Sequence, residues 1–233
     1  IGKDYIKIDI ITIYPNMFNE FLNTSIIHRA IKDKKVVVNI HNLRDYTPYQ
    51  HGQIDDMPYG GGPGMVLMVE PVVNAINALK TNNSKVIILT PTGKTYHQKQ
   101  AEELTMVPHL IIICGYYEGF DERIYNYVDL EISLGDYILT GGELGAMVII
   151  DSVTRLLPGV INQESRREES FNQPLLDYPV YTKPRIFEGQ AVPDVLLSGH
   201  HQNINDYRYQ SQIEKTKLKR PDLWREYYEL QNK

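Results

Sequence analysis

The 233-residue sequence predicts an α/β fold: a mainly parallel sheet covered on both faces, followed by a small helical C-terminal domain. Three observations predict it. Short runs rich in isoleucine and valine alternate with stretches of helical apolar spacing as far as about residue 157, the pattern of strands joined by crossover helices. Three of those runs stop abruptly in loops of glycine and small polar residues. After residue 161 periodicity is lost, and from about residue 203 only helical spacing returns.

Taken in order, residues 5–13 alternate and read as a strand, and Pro15 opens a helix carrying Met17, Phe18, Phe21, Leu22, Ile26 and Ile27. Residues 36–40 are a second strand. Residues 42–65 have no sustained periodicity, and a loop of that length in a compact domain is usually functional or disordered. A helix over 69–79 leads to a buried strand over 86–89, and a helix over 98–104 to another strand over 110–114. Glu122 starts a short helix, and Leu130 and Ile132 mark the last strand. Beyond Gly141-Gly142, the residues Leu144, Met147, Val148, Ile149, Ile150 and Val153 form a helix apolar on almost every side, which is therefore expected to be buried. Pro158-Gly159 ends it. The organisation expected is an α/β domain over 1–160, a flexible linker over 161–177 and a helical domain over 178–233 whose final helix starts at Pro221.

A formal net charge of -5 argues against a nonspecific coat for nucleic acid, yet the cations are not evenly spread. Arg208, Lys215, Lys217 and Arg220 gather near the C-terminus, and Arg166-Arg167 stand in a polar segment. Cys114 is the sole cysteine, which excludes an intrachain disulfide and suits a reducing compartment. No apolar run is long enough to span a bilayer as a helix, and the N-terminal residues lack the apolar core of a signal peptide, so a cytoplasmic location is expected.

Two motifs mislead. Gly93-Lys94-Thr95 follows a strand as a P-loop does, but the glycine required five residues earlier is Ile88, which weakens a nucleotide hydrolase reading. Gly62-Pro63-Gly64 has Leu67 where a dinucleotide fingerprint needs its third glycine. The adjacent pairs His200-His201 and Asp55-Asp56 lack the spacing of metal ligands, so no metal site is assigned. What remains is three strand-end loops: Thr90-Pro91-Thr92-Gly93, Gly115-Tyr116-Tyr117-Glu118-Gly119 and residues 134–142. Ligands of open α/β sheets bind beyond the carboxyl ends of strands, so convergence of the three would form one pocket. Poor in fixed positive charge, it suits an uncharged or cationic ligand better than a triphosphate.

Pro58-Tyr59-Gly60-Gly61-Gly62-Pro63-Gly64-Met65, Cys114-Gly115 with Tyr117-Glu118-Gly119-Phe120-Asp121-Glu122-Arg123, Gly135-Asp136-Tyr137 with Gly141-Gly142-Glu143-Leu144, and Val195-Leu196-Leu197-Ser198-Gly199 together carry a resemblance. In order and spacing, from about Lys7 to Trp224, the chain resembles the bacterial tRNA (guanine-N1)-methyltransferases of the SPOUT superfamily. The resemblance implies a deep trefoil knot at the C-terminal end of the α/β domain, S-adenosylmethionine as methyl donor, a homodimer with shared active sites, and tRNA as substrate, methylated on the guanine immediately 3′ of the anticodon. It implies donor binding by Leu89, Thr90, Pro91, Gly115, Tyr117, Glu118, Leu134, Gly135, Tyr137, Leu139, Gly141 and Gly142. Asp55, Pro58, Tyr59 and Gly60 would face the target guanine and its 5′ neighbour, with Arg208, Lys215, Lys217 and Arg220 on phosphates. A need for Mg2+ is also implied, with no site for it assignable from the chain.

N1 of guanine carries a proton that must leave before N1 can attack a sulfonium methyl, while negative charge gathers at O6. By resemblance Arg155 stabilises that charge and a carboxylate before Ser170-Phe171 is the base. Where relatives have aspartate this chain has Glu169, one methylene longer; Glu168 is its competitor, although Ser165-x-x-Glu168 also reads as a capping box. The alternative function is a noncatalytic RNA-binding or adenosine-sensing module of the same fold.

Overall fold

The computed structural model describes residues 5–162, 171 and 173–232. Five parallel strands form the central sheet: β1 (Ile6–Thr12), β2 (Val36–Asn42), β5 (Ser84–Thr95), β6 (His109–Ile113) and β7 (Leu130–Ser133). Their spatial order is β2-β1-β6-β5-β7. Side chains alternate across the pleat, and the two faces are apolar for that reason. Ile8, Ile10, Ile87, Leu110 and Ile112 pack with α2 (Ser25–Lys32), α4 (Gln98–Thr105) and α5 (Glu143–Thr154) on one face. Ile11, Val86, Ile88, Ile111 and Ile113 pack with α3 (Val69–Leu79) and two 3-10 turns, Leu43–Tyr46 and Glu122–Tyr127, on the other.

Four local expectations change. The helix expected from Pro15 is a 3-10 turn (Pro15–Phe18), a single turn α1 (Asn19–Leu22), and then α2. Asn23 Nδ2 and Thr24 Oγ1 donate to the carbonyls of Asn19 and Glu20, and Ser25 stands at φ 54°, so polar side chains take over the backbone acceptors and break the helix. The strand expected to end at Leu89 instead resumes: Ile132 of β7 is opposite both Leu89 and Lys94, and residues 90–93 bulge out between them. Within the long 42–65 segment, β3 (Asp55–Asp56) pairs antiparallel with β4 (Val66–Leu67). Finally, α5 is not covered all round. Ala146, Ile149, Ile150 and Val153 are buried, but Leu144 and Val148, one turn apart, are 52% and 45% exposed.

The chain divides into two compact units, Ile1–Ile161 and Asn162–Lys233. In the second, a hairpin of β8 (Ile186–Phe187) and β9 (Gln190–Ala191) turns through Glu188-Gly189, both at positive φ. It precedes α6 (His201–Lys219) and α7 (Pro221–Gln231). Pro221 occupies the first turn of α7, where its missing N–H costs nothing. The two helices meet through Tyr209 and Tyr227, whose hydroxyls are 2.8 Å apart, and Leu175 is buried in the same unit. Residues at the end of the expected linker are tied to α6: the Leu176 N–H donates to Thr216 Oγ1 at 2.9 Å and Lys215 Nζ to the Asp177 carbonyl at 2.9 Å. Among the described residues no helix is long and apolar enough to cross a membrane.

Candidate functional site

Because β6, β5 and β7 are neighbours in the sheet, the loops beyond their carboxyl ends necessarily lie side by side. They enclose a cavity of about 370 Å3, within the range of small-molecule sites. Of the twelve residues expected to hold the donor, eleven line it: Leu89, Thr90 and Pro91 from the β5 bulge; Gly115 and Glu118 after β6; and Leu134, Gly135, Tyr137, Leu139, Gly141 and Gly142 after β7. The twelfth, Tyr117, is outside the lining. It is 40% exposed, held edge-on to Tyr116 with ring centroids 5.0 Å apart, and takes φ 58°, an uncommon backbone for tyrosine.

Close backbone approach explains two of the glycines. The Gly142 N–H donates to the Gly115 carbonyl at 2.9 Å, and a Cβ on Gly142 would stand 2.7 Å from the Cα of Cys114. A Cβ on Gly93 would stand 2.5 Å from the backbone nitrogen of Ile132. The loops are thus locked to one another by main chain, which leaves N–H and C=O groups as the reading surface. Side chains stiffen the wall: Thr90 Oγ1 and Thr92 Oγ1 are 3.0 Å apart, Thr92 Oγ1 donates to Glu131 at 3.0 Å, and Ser133 Oγ accepts from the Gly135 N–H at 3.2 Å.

Sequence reasoning missed part of the lining. Phe120, Glu122, Tyr125 and Gly145 also face the cavity, as do Tyr116 and Ile138 of the loops expected to converge there. Phe120 entered only as part of the Tyr117–Arg123 motif and Tyr125 carried no signal beyond its place near a glycine-rich loop, whereas Ile138, 82% exposed on a loop, is an apolar residue where polar ones are usual. Behind residues 140–141 lies a second cavity of about 360 Å3, lined by Tyr14, Met17, Tyr116, Thr140, Gly141, Glu143 and Leu144. Glu143 is buried and accepts from Thr12 Oγ1 at 2.7 Å. Cys114 is fully buried, and burial with the nearby Glu143 carboxylate pushes its thiol well above the usual range, so it is an inert packing group.

The loop expected to meet the target base is sewn to this site. The Glu118 N–H donates to the Met65 carbonyl, and the Leu67 N–H to the Gly119 carbonyl, each at 3.0 Å. Asp55 pairs with Leu67 in the short ladder. Pro58 accepts from the Gly61 N–H at 3.1 Å, Tyr59 is fully exposed, and Gly60 stands at φ 89° with open space around it. Arg155 is the C-cap of α5, where its charge also complements the helix dipole. The expected base Glu169 and its competitor Glu168 lie outside the described residues, as do Arg166 and Arg167.

The C-terminal cations are engaged within their own unit. Arg208 lies 4.8 Å from the centroid of the Tyr178 ring, Lys215 holds the Asp177 carbonyl, Lys217 sits 4.3 Å over Trp224, and Arg220 forks onto Asp222. Among the described residues no group of three or more His, Cys, Asp or Glu side chains could hold a metal ion, so the expected need for Mg2+ gains no site.

The family profile described as tRNA (Guanine-1)-methyltransferase TrmD matches residues 6–226, nearly the whole chain. The chain belongs to this family. Its similarity to individual members is high: 57% identity over 221 residues with the tRNA (guanine-N(1)-)-methyltransferase of Malacoplasma penetrans, covering 95% of this chain and 98% of that protein. The same-named protein of Ureaplasma urealyticum serovar 10 is 55% identical over 95% of this chain and 97% of its own. That of Dictyoglomus turgidum is 52% identical, covering 94% of this chain and 89% of its own.

Proposed function

We infer that this chain is a tRNA (guanine-N1)-methyltransferase that takes its methyl group from S-adenosylmethionine and acts on the guanine immediately 3′ of the anticodon. One observation carries the donor site: adjacent strands bring three loops to one cavity, and that cavity is lined by main chain, uncharged groups and two carboxylates, with no lysine, arginine or histidine. Such a lining suits an adenosine with a positively charged sulfonium tail. S-adenosylmethionine would supply the methyl group. The protein's part is to hold it bent toward the acceptor, to take the proton from guanine N1, and to stabilise charge at O6.

For the last two tasks we assign Glu169 as base and Arg155 as the cation at O6. Asp55, Pro58, Tyr59 and Gly60 meet the flipped guanine and its 5′ neighbour. The hydrogen bonds joining that loop to Glu118 and Gly119 support this, because they set a base-reading loop directly against the donor cavity. The exposed Leu144 and Val148 on α5, close to Tyr14 and Met17 at the second cavity, support a homodimer with shared active sites. The trefoil knot is inferred from the resemblance to the family alone. The helical second unit holds tRNA phosphates through Arg208, Lys215, Lys217 and Arg220, and a tRNA substrate puts the enzyme in the cytoplasm.

The test is methyl incorporation from labelled S-adenosylmethionine into unmodified tRNA with guanine 3′ of its anticodon. We expect N1-methylguanosine on nuclease digestion, and none when that guanine is replaced by adenine. Binding of both tRNA and donor without incorporation would instead describe a noncatalytic module. Affinity for tRNA falls with added salt if cations hold phosphates, and an affinity indifferent to ionic strength would remove the four C-terminal assignments.

A further inference from the structure

The charged side chains lining the donor cavity are two carboxylates, Glu118 and Glu122. Among the described residues neither takes part in an ion pair. The cation next to Glu122 in sequence is already committed, since Arg123 places Nε and Nη2 on the Asp121 carboxylate at 2.9 and 2.7 Å. Both glutamates are exposed, on backbone that is anchored locally. Glu118 is anchored through its N–H to Met65, and its side chain lies against Gly64, where an added Cβ would come within 2.4 Å of its Cγ. Glu122 opens the 3-10 turn Glu122–Tyr127, whose N-cap Asp121 accepts the Arg123 N–H at 2.9 Å. The cavity therefore carries two carboxylates that make no ion pair among the described residues, and no cationic side chain.

We propose that Glu122, acting with Glu118, makes this cavity selective for the charge on sulfur, so that the sulfonium donor is held more tightly than the thioether left after transfer. The proposal rests on the methyltransferase reading above. In the reaction the S–CH3 bond breaks, its electron pair stays on sulfur, the methyl group bonds to guanine N1, and the N1 proton goes to the base. Sulfur thereby loses one positive charge. The ammonium and carboxylate of the amino-acid tail are the same in donor and product, so they cancel in the comparison. What differs is one unit of positive charge in a cavity lined by two negative ones. Each turnover removes part of what held the ligand, and the product leaves a site that no longer attracts it.

The test is calorimetric titration of the full chain, wild type and Glu122→Gln, with S-adenosylmethionine and with S-adenosylhomocysteine, at low and high salt. For the variant we expect donor affinity to fall about three- to ten-fold, the size of one charge contact at several ångströms in a solvent-open cleft. Affinity for S-adenosylhomocysteine should change less than about two-fold, which also reports that the variant is folded. The wild-type preference for the donor should narrow as salt screens the cavity. An equal loss for both compounds would make Glu122 a charge-blind contact and overturn the proposal, as would no change for either. Failure of the wild type to bind either compound would instead strike the methyltransferase reading itself.

Discussion

The hydroxyl of Thr12 donates to the Glu143 carboxylate at 2.7 Å, with both side chains out of solvent. The bond joins the last residue of β1 to the first of α5, 131 positions later in the chain, directly behind the Gly141-Gly142 wall of the strand-end cavity. Thr12→Val keeps the shape and removes the donor, leaving a buried carboxylate oxygen without it. We expect a loss of roughly 2–4 kcal/mol in urea unfolding, as for a buried charged group robbed of its partner. Glu143→Gln can still accept from Thr12 and should lose less. Unchanged unfolding midpoints for Thr12→Val would show that the contact stabilises nothing.

Gly93→Ala tests the bulge. Its new methyl would meet the backbone of Ile132, which cannot step aside without breaking the β5–β7 ladder. Strain of this kind costs about 1–3 kcal/mol, and here it falls on Thr90 and Pro91 in the cavity wall. The variant should show a lowered thermal midpoint together with loss of S-adenosylmethionine binding in calorimetry. Normal donor affinity would mean that residues 90–93 are not part of the binding surface.

Acid stability should depend on Asp9. Burial alone raises its carboxyl, but hydrogen bonds from Lys7, Asn39, His41 and His109 outweigh this and hold it at about 2, below the ordinary 3.8. The nearest are His109 Nε2 at 2.6 Å and Asn39 Nδ2 and Lys7 Nζ at 2.7 Å. A depressed carboxyl stabilises the fold fully above its unfolded value and loses that contribution as pH falls through the folded one. About 2 kcal/mol should therefore disappear between roughly pH 4 and pH 2. Asp9→Asn should be less stable at neutral pH and show a flatter acid limb in pH-dependent unfolding. An identical acid profile would place the acid sensitivity elsewhere.

Much of this site is legible in the sequence because a parallel sheet buried on both faces writes its strands as unbroken apolar runs. Val86 to Leu89 and Leu110 to Cys114 are such runs, and their ends name the loops. What the runs do not encode is which strands are neighbours. The order β6-β5-β7 depends on long-range pairing, and with it come Phe120, Glu122 and Tyr125 as cavity lining. Asp9 could have been flagged as a lone carboxylate in an isoleucine strand, but its partners at 39, 41 and 109 become visible only when β2 and β6 flank β1. Leu144 and Val148 show the opposite error. An apolar helix implies a partner surface, and the sequence does not say whether its own chain supplies it.

That exposed pair yields a prediction about assembly. A charge introduced at Leu144 or Val148 meets solvent in the isolated chain and should leave its folding almost unchanged. In a homodimer joined through this face the same charge would be buried without a partner. Val148→Glu should then lower the molar mass in light scattering from that of two chains to one and abolish methyl transfer, with circular dichroism unaltered. A variant that stays dimeric would move the interface off α5.

The base assignment is the sharpest test of the chemistry. A carboxylate one methylene longer than that of aspartate shifts its oxygens by about 1 Å unless the linker compensates, and misplacement of that size can cost about 100-fold. Glu169→Gln, equal in length but unable to take a proton, should lower the single-turnover methylation rate by about 100- to 10,000-fold while leaving S-adenosylmethionine affinity unchanged. Glu169→Asp should keep most of the rate only if the linker can advance toward the guanine, so its activity measures the slack in that segment. If Glu168→Gln rather than Glu169→Gln stops the reaction, the base lies one residue earlier and the longer side chain needs no compensation. If neither does, the proton leaves N1 by another route, and Arg155→Ala would then report whether charge stabilisation at O6 alone sustains the transfer.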